Sequence, residues 1–175
     1  MSRPGWLNRA LGRLPGPVRP TNDLGSLLSP LTRERVADYL RHRGYRFVVD
    51  DDGDLTGTWD GNRFWFLLLG DDHEILQVRG RWHRSVPPEH AGQLALTVND
   101  WNRDRIWPKA YAREEDGELA VYAEVSADLE PGVNEVQLAQ LVACGLGTGV
   151  QLFTALSELI PEPGGPSVVT DVPDN

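Results

Sequence analysis

The strongest candidates for chemistry in this chain are the polar side chains of one alternating segment that begins at Ile75. Arg79 and Arg81 alternate with apolar residues, which predicts a β-strand with one solvated face. The neighbouring Trp82 and His83 add an indole and an imidazole, and Trp and Arg are enriched where proteins bind one another. We therefore predict a partner-binding surface made of Arg79, Arg81, Trp82 and His83. The alternative interpretation is a solvated strand face without a partner.

Two other patterns resemble sites but have simpler interpretations. Asp50, Asp52 and Asp54 have the alternate spacing of calcium ligands, yet the glycine and the distal glutamate of an EF-hand loop are out of place. We predict a hairpin turn there. The three glycines between residues 145 and 149 resemble a phosphate-binding loop, but they lie inside an apolar helical pattern and no strand precedes them. We expect them to mark close packing, a kink or a break in that helix.

No set of side chains makes a recognisable reaction centre. The four histidines, His42, His73, His83 and His90, show no paired-ligand spacing, and Cys144 is the only cysteine. We therefore predict no catalytic residue, no cofactor and no metal site, and we interpret Cys144 as a small apolar helix residue. An enzyme of unrecognised type stays open as an alternative, and it would require a cleft that brings together groups such as His83, Arg81 and Glu124.

One motif is structural, and it lies where an amphipathic helix runs into a proline-led strand. The asparagines can satisfy free backbone groups where the helix frays, the tryptophans bring large apolar area, and the proline forbids further helix. The corner consists of Asn99, Trp101, Asn102, Trp107, Pro108 and Tyr111.

Three helices and six strands are predicted to position these residues. The first helix is predicted to begin after a Thr32 cap and to end at Gly44, and the second helix to begin at Pro87 and run to the corner. The capping-box spacing of Asn134 and Gln137 predicts the start of a third helix, which ends near residue 160. The strands are predicted at residues 45–49, 55–59, 63–69, 75–82, 109–113 and 119–125. Residues 63–69 show no polar alternation, so we expect both faces of that strand to be covered. The order α-ββββ-α-ββ-α with short connections predicts an α+β fold in which helices pack on an antiparallel sheet.

Length and charge bound the kind of protein. The chain has 175 residues and a net charge of −9, but its first 20 residues hold four arginines and no acid, which leaves −13 on the rest. We predict a basic tail or short amphipathic helix at residues 1–28, one domain at 29–160 and an acidic Pro/Gly-rich tail at 161–175. An acidic body makes nucleic acid a poor partner, and membrane contact through the basic tail is not expected, although it stays open. One cysteine and no secretory signal favour the cytoplasm.

At this point the chain resembles the YbjN-domain family of bacterial proteins, which are similar in fold to type III secretion chaperones. The resemblance covers about residues 30–160 and rests on four features: the Leu31-Thr32 helix leading into Gly44-Tyr45, the aromatic strand at Phe64 to Leu69, the corner, and the long closing helix. The family is described as regulators of sensory transduction without established catalytic residues, so the resemblance transfers no catalytic position. The resemblance implies a non-enzymatic protein-binding module. Secretion chaperones commonly form homodimers, so whether this chain also associates with itself stays an open question.

We therefore expect the protein to bind another protein, or itself, through a sheet face or through the third helix. The first alternative is a small-ligand sensor, whose sheet and helices would enclose an aromatic pocket. The pocket would be lined by some of Trp59, Trp65, Trp82, Trp101 and Trp107. The second alternative is the unrecognised enzyme.

Overall fold

The computed structural model describes residues 27–160, and the predictions for residues 1–26 and 161–175 lie outside that range. The helices are α1 (Arg33–His42), α2 (Ala91–Asp104) and α3 (Glu135–Leu159), and a 3-10 turn at Pro88–His90 leads into α2. The strands are β1 (Val48–Val49), β2 (Leu55–Trp59), β3 (Asn62–Leu69), β4 (Ile75–Val86), β5 (Lys109–Glu115) and β6 (Glu118–Asp128). The predicted order α-ββββ-α-ββ-α is confirmed.

All six strands form one antiparallel sheet in the order β1-β2-β3-β4-β6-β5. The order follows the chain except that β6 pairs with β4, so β5 becomes an edge strand. The connection from β4 to β5 is α2, which explains how the chain reaches that edge before it returns as β6. The predicted α+β class with an antiparallel sheet is therefore confirmed.

Local sequence signals fix the ends of α1 and α3. The Thr32 hydroxyl accepts a hydrogen bond from the backbone N–H of Arg35, and Asn134 and Gln137 form a reciprocal capping box. Each cap satisfies backbone donors that the first turn of a helix leaves free. At the other end of α1, Gly44 has a φ of +70°, a conformation that glycine adopts without strain. These predicted boundaries are confirmed.

Helix α3 packs on the middle of the sheet through two of its three glycines. Gly145 lies against Val78 of β4, and Gly149 lies against Phe64 of β3, while Gly147 points away from the sheet. A methyl group at either of the first two positions would meet the sheet side chains at less than 3 Å. The helix is continuous through all three glycines, so Gly145 and Gly149 mark close packing and none of the three marks a break.

The α2–β5 corner is held by an asparagine that takes the place of a missing strand. Asn102 Oδ1 accepts from the backbone N–H of Ala110 at 2.8 Å, and Asn102 Nδ2 donates to the Ala110 carbonyl at 2.9 Å. One side-chain amide thus pairs with both the backbone N–H and the carbonyl of Ala110, as the backbone of a neighbouring strand would. Trp101 is buried beside this contact, and Pro108 is buried after a cis peptide bond.

The remaining corner residues play smaller structural parts than the motif predicts. Asn99 is exposed on α2, and Trp107 is 48% exposed. Tyr111 points to the opposite side of the sheet from the corner and joins a polar cluster there. The corner is therefore anchored by Trp101, Asn102 and Pro108 rather than by the whole motif.

One prediction about β3 is wrong. Phe64 and Phe66 are buried under the helices, but Trp65 is only partly buried, because no helix within residues 27–160 covers the other face of the sheet at this position. The apolar character of this strand has two sources, a helix-packed face and an aromatic residue on the uncovered face.

Candidate functional site

The face of the sheet opposite α3 is the candidate site, and we call it the open face. Its side chains stand in rows, because residues paired across neighbouring strands share a face. One row runs Trp65, Arg79, Glu124, Lys109 and the next runs Arg63, Arg81, Tyr122, Tyr111, each from β3 through β4 and β6 to β5. Two arginines predicted to bind a partner, Arg79 and Arg81, thus lie at the centre of this face.

Glu124 is the anionic centre of the first row. Its carboxylate accepts from Arg79 Nε at 2.9 Å, from the Tyr111 hydroxyl at 2.6 Å and from Lys109 Nζ at 3.2 Å. The residue is only 8% exposed. A buried carboxylate is tolerated when such partners replace its water, so these three donors hold Glu124 in one orientation.

Glu115, at the end of β5, forms a second cluster beside the first. Its carboxylate accepts from the Tyr122 hydroxyl at 2.5 Å and from Arg81 Nε at 3.0 Å, and it also pairs with Arg113. The rings of Tyr122 and Tyr111 stack with centroids 5.3 Å apart. The stacked rings therefore join the two clusters into one rigid polar surface.

These contacts shift the ionisation of both carboxylates in the same direction. Hydrogen bonds from Tyr122 and Arg113 lower the pKa of Glu115 to about 2. Burial alone would raise the pKa of Glu124, but the hydrogen bonds from Tyr111 and Lys109 outweigh it and the pKa lies below its ordinary value. Both residues are therefore anionic at neutral pH. Burial and the adjoining carboxylates raise the pKa of both tyrosines, so their hydroxyls stay protonated as donors.

The two rows are basic overall, although the chain is acidic. They contain four cations and one carboxylate, a net charge of +3. Arg63 and Arg81 stand directly opposite each other on β3 and β4, an arrangement of like charges that destabilises a sheet. Among the described residues, Arg63 contacts the Thr56 hydroxyl and the Trp65 ring rather than a carboxylate. Cations therefore outnumber carboxylates in these two rows, whereas the neighbouring β1–β2 turn carries Asp50, Asp52 and Asp54.

A groove of about 230 Å³ lies on the open face between the β1–β2 turn and the centre of the sheet. Aspartates of the turn line the groove together with arginines of β4 and β5 and with Trp65 and Leu67 of β3. It is lined by Asp50, Asp52, Asp54, Trp65, Leu67, Arg79, Arg113 and Tyr122.

The predicted hairpin turn is confirmed, since Asp50 Oδ1 accepts from the backbone N–H of Asp54 and β1 pairs with β2. Among the described residues, no group of three or more acidic, histidine or cysteine side chains is arranged to hold a metal ion.

The structure separates the four residues predicted to form the partner-binding surface. Trp82 is fully buried on the helix side, where its Nε1 donates to Ser157 of α3, so its assignment to an exposed surface is wrong. The reason is strand alternation, which places residue 82 on the other face of the sheet from residues 79 and 81. His83 is exposed, but it lies at an irregularity in the β4–β6 pairing, where its backbone N–H and ring Nδ1 both meet Asn62 Oδ1. It therefore lies at the rim of the surface.

The groupings required by the two alternative functions do not form among the described residues. Arg81 pairs with Glu115 and Glu124 pairs with Arg79, while His83 is held separately by Asn62, so the suggested catalytic cluster is not assembled. The tryptophans proposed to line one pocket are dispersed as well. Trp82 and Trp101 are buried in the core, Trp59 packs edge-on against Tyr45, Phe64 and Phe66, Trp107 is half exposed, and Trp65 lines the groove.

Sequence reasoning missed Tyr122 and Glu115 on the open face, and it named Glu124 only for the enzyme alternative and Tyr111 only for the corner. Tyr122, Glu124 and Glu115 come from strands separated from β4 by α2, and their pairing with it is a long-range event. The available signal was alternation within β6, where Tyr122 and Glu124 fall on the same side as each other. Their placement opposite Arg81 and Arg79 required the register.

Comparison with known proteins identifies a family and similar solved structures. A family model described as "Putative bacterial sensory transduction regulator", named YbjN, matches residues 32–158. The crystal structure of YbjN from E. coli, described as "a putative transcription regulator", matches with a TM-score of 0.64 and 18% identity. The match covers 78% of this chain and 99% of that one, so it shows a shared fold. No curated protein sequence matches.

Two further solved structures match more distantly. The HopA1-SchA chaperone-effector complex gives a TM-score of 0.47 at 17% identity, covering 71% of this chain and 99% of that one. A protein from Methanothermobacter thermautotrophicus gives a TM-score of 0.45 at 15% identity, covering 75% of this chain and 100% of that one.

Proposed function

The chain belongs to the YbjN family, and from this premise we propose that it is a non-enzymatic regulatory module that binds an acidic segment of another protein on the open face of its sheet. A cytoplasmic location is part of the proposal. The observation that carries it is the basic centre of the open face on an otherwise acidic chain. The four cations and one carboxylate of the two rows give that centre its charge.

The residue types of the open face support binding of a protein. Arginine, tyrosine and tryptophan are enriched among the side chains that dominate interface energies, and the face presents all three as Arg63, Trp65 and Tyr111. Ion pairs and stacking already hold much of this surface in place, so a partner would lose little entropy by fixing it. A preorganised surface of this kind favours recognition.

The charge of the two rows supports an acidic partner. Arg63 has no carboxylate partner among the described residues, and Lys109 is largely exposed although its ammonium group contacts Glu124. Glutamate or aspartate side chains of a partner can reach both cations without displacing the internal carboxylates. Because exposed charges are screened by salt, we expect the complex to weaken as ionic strength rises.

The experiment compares two pairs of substitutions that remove the same charge from different surfaces. The test variant is Arg63→Gln with Lys109→Gln on the open face, and the control is Arg41→Gln with Arg103→Gln on α1 and α2, where both arginines are exposed. Each tagged full-length chain is expressed in the native cells, captured, and examined by mass spectrometry. Circular dichroism and urea unfolding establish that both variants fold.

We expect wild type and control to capture one stoichiometric protein with an acidic segment, and the open-face variant to lose it. Equal capture by all three chains would place the binding surface elsewhere and overturn the assignment. Capture of the chain alone, with a second copy measured by light scattering, would indicate self-association instead. A small molecule that copurifies in place of a protein would favour the ligand-sensor alternative, for which the groove is the specific observation.

A further inference from the structure

Strand β5 lies at one edge of the sheet, and part of that edge is unpaired. The register of β5 with β6 is continuous along the whole strand. Asn102 binds both the backbone N–H and the carbonyl of Ala110, so these two groups point away from β6. In an antiparallel pair, the backbone groups of a strand point toward the neighbouring strand and away from it at alternate residues. The N–H and carbonyl groups of Ala112 and Glu114 therefore also point away from β6.

These four backbone groups are accessible to a partner. Ala112 and Glu114 are both exposed. Within residues 27–160, the Asn102 amide pairs with the edge at Ala110, and no comparable hydrogen bond is made at the next two outward positions. An exposed edge with free donors and acceptors is a template for another strand, and extended peptides are commonly bound in this way.

The side chains of β5 indicate which strand would fit this edge. On the open face the strand carries Lys109, Tyr111 and Arg113. The Lys109 and Arg113 side chains are 69% and 61% exposed, although each also pairs with a glutamate of the sheet. A side chain opposite Tyr111 lies diagonally to both of them, within reach of long side chains. An acidic residue at that position would meet two cations, whereas Glu114 and Glu115 disfavour acidic residues farther along the edge.

A second copy of the chain fits the edge less well than an acidic segment does. An antiparallel pair of β5 strands that uses the free groups of both Ala112 and Glu114 has its twofold axis at Arg113. Arg113 would then stand directly opposite its own copy, and opposed like charges destabilise a sheet. A pair centred on Ala112 would instead have to displace Asn102 from Ala110.

We propose that the acidic segment of the partner protein binds in extended form, as an added strand that pairs with Ala112 and Glu114 of β5. The pairing is antiparallel, like every other strand pair of this sheet. Lys109 belongs both to β5 and to the rows of the open face, so the segment can continue from the edge onto that face. This inference rests on the proposed function, because it specifies how the acidic segment is held.

A capped heptapeptide in which glutamate alternates with valine is the probe, and NMR of the full-length chain is the measurement. We expect the amide signals of Ala112 and Glu114 to shift, and their amide hydrogens to exchange more slowly, when the peptide binds. The valines lie opposite these two residues, so their own N–H groups face β5. N-methylation of the valines should therefore weaken binding about tenfold, whereas N-methylation of the glutamates should not. The reverse order would overturn the antiparallel pairing.

Substitutions at Ala112 test the same contact from the side of the protein. Ala112→Pro removes the outward N–H, and proline is tolerated at an edge position whose N–H faces away from the sheet. We expect this variant to bind the peptide about tenfold more weakly. Ala112→Val adds bulk at the same position but keeps the N–H, so it should bind as the wild type does. Urea unfolding establishes that both variants fold.

The outcomes separate this inference from the function on which it rests. Shifts on β3 and β4 without any at Ala112 and Glu114 would overturn the added strand and leave the open face as the binding surface. No binding of the peptide would also overturn the added strand, while capture of the native partner would still decide the function. Equal binding of a peptide with glutamine in place of glutamate would contradict the preference for acidic residues. A doubled mass of the chain alone in light scattering, lost in Ala112→Pro, would place a second copy on the edge instead.

Discussion

Three glycines of α3 provide a test of how closely this helix must approach the sheet. An alanine at Gly147 has no heavy atom of another described residue within 4 Å of its methyl group, so the substitution gains only helix propensity. That gain is about 1 kcal/mol of unfolding free energy. An alanine at Gly145 places its methyl 2.5 Å from the Cβ of Val78 and under 3 Å from both γ-carbons. Val78 lies in the centre of the sheet and cannot rotate away from three simultaneous contacts.

The expected difference follows from opposing effects at the clashing position. Overpacking a core costs about 1 to 3 kcal/mol, and the propensity gain of about 1 kcal/mol offsets part of it. Gly145→Ala should therefore lie about 1 to 3 kcal/mol below Gly147→Ala in unfolding free energy. Gly149→Ala should lie between them, because its methyl meets the edge of the Phe64 ring at 2.7 Å and an aromatic ring can tilt.

Urea unfolding of the three variants measures these differences, provided that the slope with denaturant stays the same in all of them. Equal stability of Gly145→Ala and Gly147→Ala would refute the close approach of α3 to β4. A loss of stability in Gly147→Ala would refute the outward orientation of that residue.

Three other tests concern the corner and the open face. Trp101→Ala should destabilise the fold by about 3 to 5 kcal/mol because the side chain is buried, and Trp107→Ala should destabilise it by clearly less because that residue is half exposed. Thermal unfolding measures both variants, and an equal loss of stability in the two would contradict the difference in burial. Asn102→Ala should lower the unfolding free energy by about 1 to 3 kcal/mol, because it leaves the backbone N–H and carbonyl of Ala110 unpaired. Asn99→Ala on the exposed side of α2 should change the unfolding free energy by no more than about 0.5 kcal/mol in the same assay. The pKa of Glu115 is about 2 in the folded chain, against an ordinary value of 4.5. Its carboxylate therefore stabilises the fold fully at pH values above 4.5, and this stabilisation disappears as the pH falls from about 4.5 to about 2. The stability difference between wild type and Glu115→Gln should narrow over that interval, and a difference independent of pH would show that the carboxylate charge is not involved.

Local patterns in the sequence were sufficient for most of the fold. Thr32, Asn134 and Gln137 act on backbone groups within one helical turn, so their residue types and spacing predict the helix starts directly. The alternation in β4 also predicts which side chains share a face. The inclusion of Trp82 in an exposed surface contradicted that alternation, and burial under α3 corrects it.

The register between distant strands was not available from local patterns. Arg81 reaches Glu115 across 34 positions, and Arg79 reaches Glu124 across 45. Both contacts depend on β6 entering between β4 and β5, which a chain-order interpretation does not specify. Corner residues such as Trp107 show a related limit, because a motif predicts a bend without predicting which of its side chains becomes buried.

The two sides of the sheet differ in what their residues contribute. Between the sheet and α3, glycines admit close packing and the large side chains are buried, which accounts for stability. On the open face, partly exposed ion pairs add little stability, and the opposed Arg63 and Arg81 reduce it. Apolar or hydroxyl side chains at those positions would stabilise an isolated sheet better. The opposed arginines are one reason why we propose an anionic partner, which would make these charges favourable on binding.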